Sequence, residues 1–377
     1  MNVLILHNRY RHAGGEERSV AQIAALLSDR GHRVELLEQT SEDLGRGRAA
    51  AGMLRGGLAP QAIADAVRDA RADVVHAHNI NPLLGPRSLV AAKGAGARVV
   101  MHLHNYRLVC AKAIAYRAGR PCTSCQGSRT WPAVRHRCRD SLVESGVYAL
   151  GIARQQRRVL ASVDAFGVPS QAAVERLATL GLPTHRMSVL PNFLRDGEFA
   201  EASQAGSGKH ALYAGRLVEE KGVDTAIAAC ARAGVPLVVA GEGPAEAELR
   251  SLARRIGADV RFVGQVDAAA LRMLRQGAGV ALVPSRWDEP CPYSVIESLA
   301  VGVPVIASDV GGLPEMVGER WTLPARDVDR WSGEALRLWN DPGERRKLGE
   351  AALAGAKDLF GADRFYRGLM RLYGEDA

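Results

Sequence analysis

Short apolar, β-rich runs alternate with amphipathic stretches along almost the whole chain, and this alternation is the strongest constraint on what it can fold into. The runs are residues 3–6, 34–37, 74–77, 99–103, 165–168 and 187–190, then 211–214, 237–240, 260–263, 280–283 and 303–307. Helical patterns lie between them at 19–28, 60–69, 172–180, 223–233, 246–256, 268–274 and 294–301. Strands and helices in this order build parallel sheets covered on both faces. The pattern occurs twice, on either side of a polar, small-residue, aperiodic stretch at 196–209 that reads as a linker. A length of 377 residues suits about two domains. The expected fold is therefore α/β, two Rossmann-like doubly wound domains facing across a cleft, with ligands outside the carboxyl ends of the strands. Expected boundaries are 1–195 for the first domain, with a Cys- and Arg-rich insertion at 106–140, then 196–355 for the second and 356–377 for a C-terminal helix.

Composition narrows the class. Hydrophobic residues at 47% and charged residues at 24% are those of a globular protein, which sets aside disordered, collagen-like and coiled-coil chains. There is no apolar run of about 18 residues and no basic leader, so the expectation is neither export by a cleaved signal nor a membrane span. Six cysteines are too few for a disulfide scaffold and point to a reducing cytoplasm. Charge is concentrated: residues 106–158 hold eleven Lys/Arg against two acids, an excess of +9 that exceeds the net +8 of the whole chain. That segment is the candidate surface for an anionic partner, such as a lipid phosphate or the inner membrane face, against the plainer alternative of a solvated basic surface. Nucleic acid is disfavoured, because aromatic content is 5% and no helix-turn-helix or stacking-sheet signature is present.

The densest chemical signal follows the run at 280–283. Glu289 falls in the loop after that strand and Glu297 eight residues on, inside a helix. Pro290 and Pro292 have no N–H, so Cys291, Tyr293 and Ser294 supply the amides at the helix start. Two acceptors flanking a cluster of donors suit a polyhydroxylated ligand. After the first strand of the same half, Arg216 and Lys221 place a guanidinium and an ammonium before a helix, as a diphosphate requires. In the first half, His12-Ala13-Gly14-Gly15 lies between strand and helix, where glycines admit close backbone approach to phosphate or sugar.

With these residues assembled, the chain resembles the family 4 retaining glycosyltransferases of the GT-B fold. The resemblance runs through Gly14-Gly15, His76-Ala77-His78-Asn79, His102-Leu103-His104, Pro191-Asn192, Gly215-Arg216, Glu220-Lys221-Gly222, Gly241-Glu242-Gly243-Pro244, Glu289 to Glu297, and 302–307. It implies a nucleotide-sugar donor whose diphosphate is held by Arg216 and Lys221, near Gly14 and Gly15, with its ribose on Glu297. The transferred sugar is then held by Glu289 and by Cys291, Pro292, Tyr293 and Ser294. Gly241, Glu242 and Gln265 are candidates for the base, with UDP the default among relatives. The resemblance also implies a final helix packed back on the first domain, an active-site histidine at His104, and a glycan, lipid-linked or small-molecule acceptor. The family's Phe-Gly pair after the first Glu is replaced here by Cys291-Pro292-Tyr293, which bears on sugar preference.

Retention could come from a covalent sugar intermediate or from same-face displacement; no first-half carboxylate stands out as a nucleophile, and same-face displacement is favoured, with charge on the leaving diphosphate stabilised electrostatically. Catalytic roles fall to His104 and Glu289. His76, His78, His102 and His104 all lie at strand ends, but no helix-borne carboxylate accompanies them and this chemistry needs no catalytic metal. Asp327-Val328-Asp329 precedes a helix and reads as an N-cap. Cys110, Cys122, Cys125 and Cys138, spaced C-x11-C-x2-C-x12-C, suit a structural zinc that would shape the insertion, with free thiols or a redox pair as the alternative. Cys230 reads as helix core. Rival functions are a sugar-nucleotide epimerase or phosphorylase of the same fold, and a non-enzymatic nucleic-acid-binding protein.

Overall fold

The computed structural model describes residues 1–10, 14–41, 44–139 and 141–375. The chain separates into two compact units, one of Met1–Ala115, Cys122–Pro191 and Phe365–Ala377, the other of Tyr116–Pro121 and Asn192–Arg364. In the first unit β1 (Asn2–Arg9), β2 (Arg33–Thr40), β3 (Val74–Ala77) and β4 (Arg98–His102) are followed by a two-residue-arm hairpin, β5 (Tyr116–Arg117) and β6 (Arg120–Pro121), which groups with the second unit. The first unit resumes with β7 (Ala165–Val168) and β8 (Met187–Val189), giving a parallel sheet of order β2-β1-β3-β4-β7-β8. The second unit contains β9 (His210–Ala214), β10 (Leu237–Ala240), β11 (Val260–Gly264), β12 (Ala278–Val283), β13 (Val305–Ser308) and β14 (Thr322–Leu323), parallel in the order β11-β10-β9-β12-β13-β14. Among the described residues no helix is long and apolar enough to cross a membrane.

Central strands read as continuous apolar runs because both sheet faces are covered; β3, β10 and β13 are buried at every position. Helices begin where a side chain can take up the first free amides. Ser141 accepts from the Glu144 N–H ahead of Leu142–Ser162, Ser170 from Ala173 ahead of Gln171–Thr179, and Asp267 from Ala270 ahead of Ala268–Gln276. Asp327 likewise accepts from the Arg330 N–H at 3.1 Å and caps Val328–Asn340, with Asp329 in the helix's first turn. Cys230 is in the second unit's core beside Trp331.

Two stretches differ from the sequence expectation. Residues 196–209 are pinned to the second unit rather than running free. The Ala200 N–H bonds the Ala300 carbonyl at 2.8 Å, Ser203 Oγ donates to the Gly302 carbonyl at 2.5 Å, and Arg345 donates to the Ala205 and Gly206 carbonyls at 2.9 and 3.0 Å. Small polar residues favour such backbone docking as readily as they favour flexibility. The grouping changes at Pro191 and again at Arg364, so helix Pro342–Phe360 stays with the second unit while Phe365 onward, most of helix Ala362–Tyr373, groups with the first. Helices Arg46–Arg55 and Gly85–Gly94 carry too many small and polar residues to show an apolar stripe in sequence.

Arg345 is 4% exposed and also donates to the Leu338 and Trp339 carbonyls. Arg345→Ala leaves these buried acceptors unpaired and is expected to cost on the order of 3 kcal/mol, read as a lower midpoint in urea unfolding.

Candidate functional site

In the second unit the site is organised by loops at the carboxyl ends of β9 and β12. The single turn Glu219–Lys221 ends at Gly222, whose φ is 65° and whose missing Cβ would lie 2.0 Å from the Pro284 carbonyl oxygen. Only glycine lets the two loops touch there. Their contact brings Lys221 Nζ to 2.5 Å from Glu289 Oε1, which also accepts from Ser285 Oγ at 2.6 Å. The Glu289 side chain is 3% exposed, so its charge is neutralised by a partner rather than by water. The Gly312 N–H donates to the Glu289 carbonyl at 2.7 Å, and Gly311, at φ 55°, lies too close to the Asp288 and Glu289 backbone for any side chain. Beneath the loop, Arg286 pairs with Asp224 at 2.6 Å and reaches Thr225 Oγ1 at 3.1 Å.

Helix Tyr293–Ala300 starts after Pro292 and carries Glu297, which forms a largely buried ion pair with Arg275. Cys291 and Tyr293 are buried at this helix start, and burial pushes the Cys291 thiol up to about 12. The Cys291 carbonyl accepts from Asn192 Nδ2 at 2.7 Å. Glu242 and Gln265 come together, the Gln265 N–H donating to Glu242 Oε1 at 3.2 Å, while the Gly241 N–H bonds the Gly264 carbonyl at 2.8 Å. A Cβ on Gly241 would lie 2.0 Å from the Gly215 carbonyl oxygen, which sets these residues against the loop carrying Arg216. Arg216 is exposed, and its carbonyl accepts from the Tyr213 hydroxyl at 2.9 Å. Burial, then the charge of Glu289, raises the Tyr213 phenol above its ordinary value.

In the first unit Gly14 precedes helix Gly15–Asp29 and donates its N–H to Glu17 Oε2 at 2.8 Å; His12 and Ala13 lie outside the described residues. This turn contains a polar group that motif reading passed over. Tyr10 donates its hydroxyl to Glu16 Oε2 at 2.8 Å, Asn105 Nδ2 reaches the same oxygen at 3.3 Å, and the Arg107 guanidinium lies 5.2 Å from the centre of the Tyr10 ring. Burial raises the Glu16 carboxyl. For Glu17, burial is outweighed by the neighbouring His7, 3.7 Å away, and by hydrogen bonds from the Tyr10 and Gly14 amides, which hold the carboxyl at about 2. Two acids directly after a diglycine turn were the available signal for this group.

The strand-end histidines also meet. His78 Nδ1 is 2.9 Å from His104 Nε2, and the His102 and His104 rings stack at 4.4 Å. Burial, then the neighbouring His76 and His7, lowers His104 to about 3; burial likewise lowers His76, His78 and His102 well below the ordinary imidazole value. In the insertion, Cys110, Cys122, Cys125 and Cys138 are all partly buried and unoxidised. Burial, then the nearby Cys110 and Cys138 and finally Cys122, pushes the Cys125 thiol up to about 12.

Two protein families match this chain. Residues 14–192 match the Glycosyl transferase 4-like domain, and residues 196–354 match Glycosyl transferases group 1. Among solved structures, sucrose-phosphate synthase from Thermosynechococcus elongatus superposes with a TM-score of 0.73 at 19% identity, over 99% of this chain and 98% of that one. Anabaena HepE in complex with UDP-glucose gives 0.67 at 16% identity, over 99% of both chains. The chain shares the two-domain α/β fold of these structures, and each of its halves matches a glycosyltransferase domain. Curated relatives include glycogen synthase of Mycobacterium tuberculosis, 36% identical over 151 residues, which are 37% of this chain and 36% of that enzyme. A GDP-mannose-dependent phosphatidylinositol monomannoside mannosyltransferase of Corynebacterium glutamicum is 33% identical over 152 residues, 37% of this chain and 40% of that one. The chain thus spans less than half the length of these relatives.

The neutral imidazoles set a pH dependence. Below about 6.5 the unfolded chain binds protons that the folded chain refuses, so stability falls as pH drops. The melting temperature is expected to be lower at pH 5 than at pH 7, and equal values would contradict burial of neutral rings.

Proposed function

We propose that this chain is a retaining glycosyltransferase that moves a sugar from a nucleoside diphosphate sugar, with UDP favoured, to a glycan, lipid-linked or small-molecule acceptor. The observation carrying this reading is the Lys221–Glu289 pair, a cation and an acceptor side by side at the carboxyl ends of β9 and β12. Eight residues along, Glu297 is oriented by Arg275. An incoming diphosphate competes with Glu289 for Lys221 and recruits the exposed Arg216. Glu289, released toward the sugar hydroxyls, then acts with the amides around Cys291 to Ser294 to hold the transferred ring, while Glu297 takes the ribose. Gly241, Glu242 and Gln265 face the base, and Gly14 and Gly15 admit the phosphates or sugar. The UDP-glucose held by HepE supports the choice of base, and the GDP-mannose dependence of the Corynebacterium relative makes GDP the second to test.

In same-face displacement, the bond from the anomeric carbon to the phosphate oxygen breaks while the acceptor oxygen bonds to that carbon on the same face, and the acceptor proton passes to the departing phosphate. Arg216 and Lys221 stabilise the charge that grows there, so no catalytic metal is required. His104, held neutral and oriented by His78, offers a hydrogen bond rather than a charge to the reaction centre.

Acceptor recognition is assigned to the basic segment. Trp131, Leu142 and Val143 are exposed beside its arginines, a combination suited to peripheral contact with an anionic membrane face in the cytoplasm. Cys125 and Cys138 pack against the same small core, and the insertion's four cysteines are assigned to a structural zinc that, held by Cys110, Cys122, Cys125 and Cys138, would fix the shape of the insertion.

Thermal-shift screening of UDP-, GDP- and ADP-sugars tests the reading. A true donor at 100 times its Kd stabilises by about 2.7 kcal/mol, and no response to any of them would contradict it. Arg216→Ala and Glu289→Ala are each expected to lower turnover at least about 100-fold without changing the far-UV spectrum, and full activity in both would remove the site assignment.

A further inference from the structure

Strand register places a row of imidazoles across the first sheet. Ile5 is opposite His76, and His76 is opposite Val100, so two residues further on His7, His78 and His102 come side by side at the carboxyl ends of β1, β3 and β4. His76, His78 and His102 are at most 2% exposed, and one ring nitrogen from each lies within 4.8 Å of the other two. Two of the rings have an orienting neighbour: His76 Nδ1 is 2.8 Å from the Tyr373 hydroxyl and His78 Nδ1 is 2.9 Å from His104 Nε2. His76 Nε2, His78 Nε2 and both ring nitrogens of His102 are buried with no hydrogen-bond partner. Buried polar atoms are nearly always satisfied, so orphaned nitrogens on three neighbouring imidazoles call for an occupant.

We propose that His76, His78 and His102 bind one divalent transition-metal ion, of the zinc or cobalt class, inside the first unit. His76 and His78, with their second nitrogens engaged by a hydroxyl and by another ring, are oriented as metal-bound histidines are. A tetrahedral ion with bonds of about 2.0–2.1 Å draws its ligand atoms to about 3.4 Å apart, so binding would tighten the present spacing of up to 4.8 Å. Imidazole ligands favour zinc, copper, iron and nickel over magnesium or calcium. A negative charge is near: Glu17 Oε1 lies 3.7 Å from His7 Nε2, and the His7 ring stands edge-on to His78 at 6.3 Å. The ion would join β3 and β4 to the C-terminal helix through Tyr373, a structural task independent of the transferase reading and of the cysteines.

The test is titration of the full-length, metal-stripped chain with Co²⁺, followed by visible d–d absorption. Ions held by the cysteines are distinguished by their thiolate charge-transfer band. The expected result is one equivalent of cobalt bound without that band, lost in His102→Phe and bound 10- to 100-fold more weakly in Tyr373→Phe, which deletes only a hydroxyl and keeps the fold measurable if His102→Phe does not fold. Absence of any thiolate-free cobalt signal overturns the proposal, as does wild-type affinity in Tyr373→Phe.

Discussion

A carboxylate that is 3% exposed must be compensated where it stands, and in this protein the compensation of Glu289 by Lys221 ties together the loops at the carboxyl ends of β9 and β12. The pair depends on Gly222, since any side chain there would strike the Pro284 carbonyl and separate the loops after β9 and β12. Ser285 and the Gly312 amide fix the same residue from two further sides. Such a pair is modest support for stability, because both charges have lost water. In the proposed function its value is that an ammonium and a carboxylate already largely withdrawn from water stand ready for phosphate charge and sugar hydroxyls.

The first unit solves a different problem with the same sheet geometry. Parallel strands deliver their carboxyl ends to one edge, and β1, β3 and β4 deliver histidines there. Burial keeps these rings neutral, so His104 is a hydrogen-bonding group, and Glu17, its carboxyl held low, supplies the local negative charge. The C-terminal helix closes over the row through Tyr373 and Phe365, the latter's ring 6.4 Å from that of His102.

Much of this was legible in the sequence because buried parallel strands advertise themselves as apolar runs. β3, β7 and β10 match their sequence runs residue for residue, and Asp327 could be read as a cap from its place before a helical pattern. Two-residue strands such as β5, β6 and β14 have too little length for a period to show. The candidate donor residues were nameable from motif spacing, but their pairing was not. That Lys221 meets Glu289, and Glu297 meets Arg275, depends on segments 68 and 22 residues apart being folded together. The Tyr10–Glu16–Asn105 group was hidden for the same reason, since Asn105 is 89 positions from Glu16. The segment at 196–209 was misleading because its docking runs through backbone carbonyls and a distant arginine, which composition does not reveal.

The most direct measurement of the central claim is a crystal structure with an intact, non-transferable nucleoside diphosphate sugar. The account predicts Lys221 Nζ turned from Glu289 to a phosphate oxygen, Arg216 ordered on the diphosphate, and Glu289 against a sugar hydroxyl. A complex in which the ligand lies elsewhere, with Lys221 and Glu289 still paired, would contradict it.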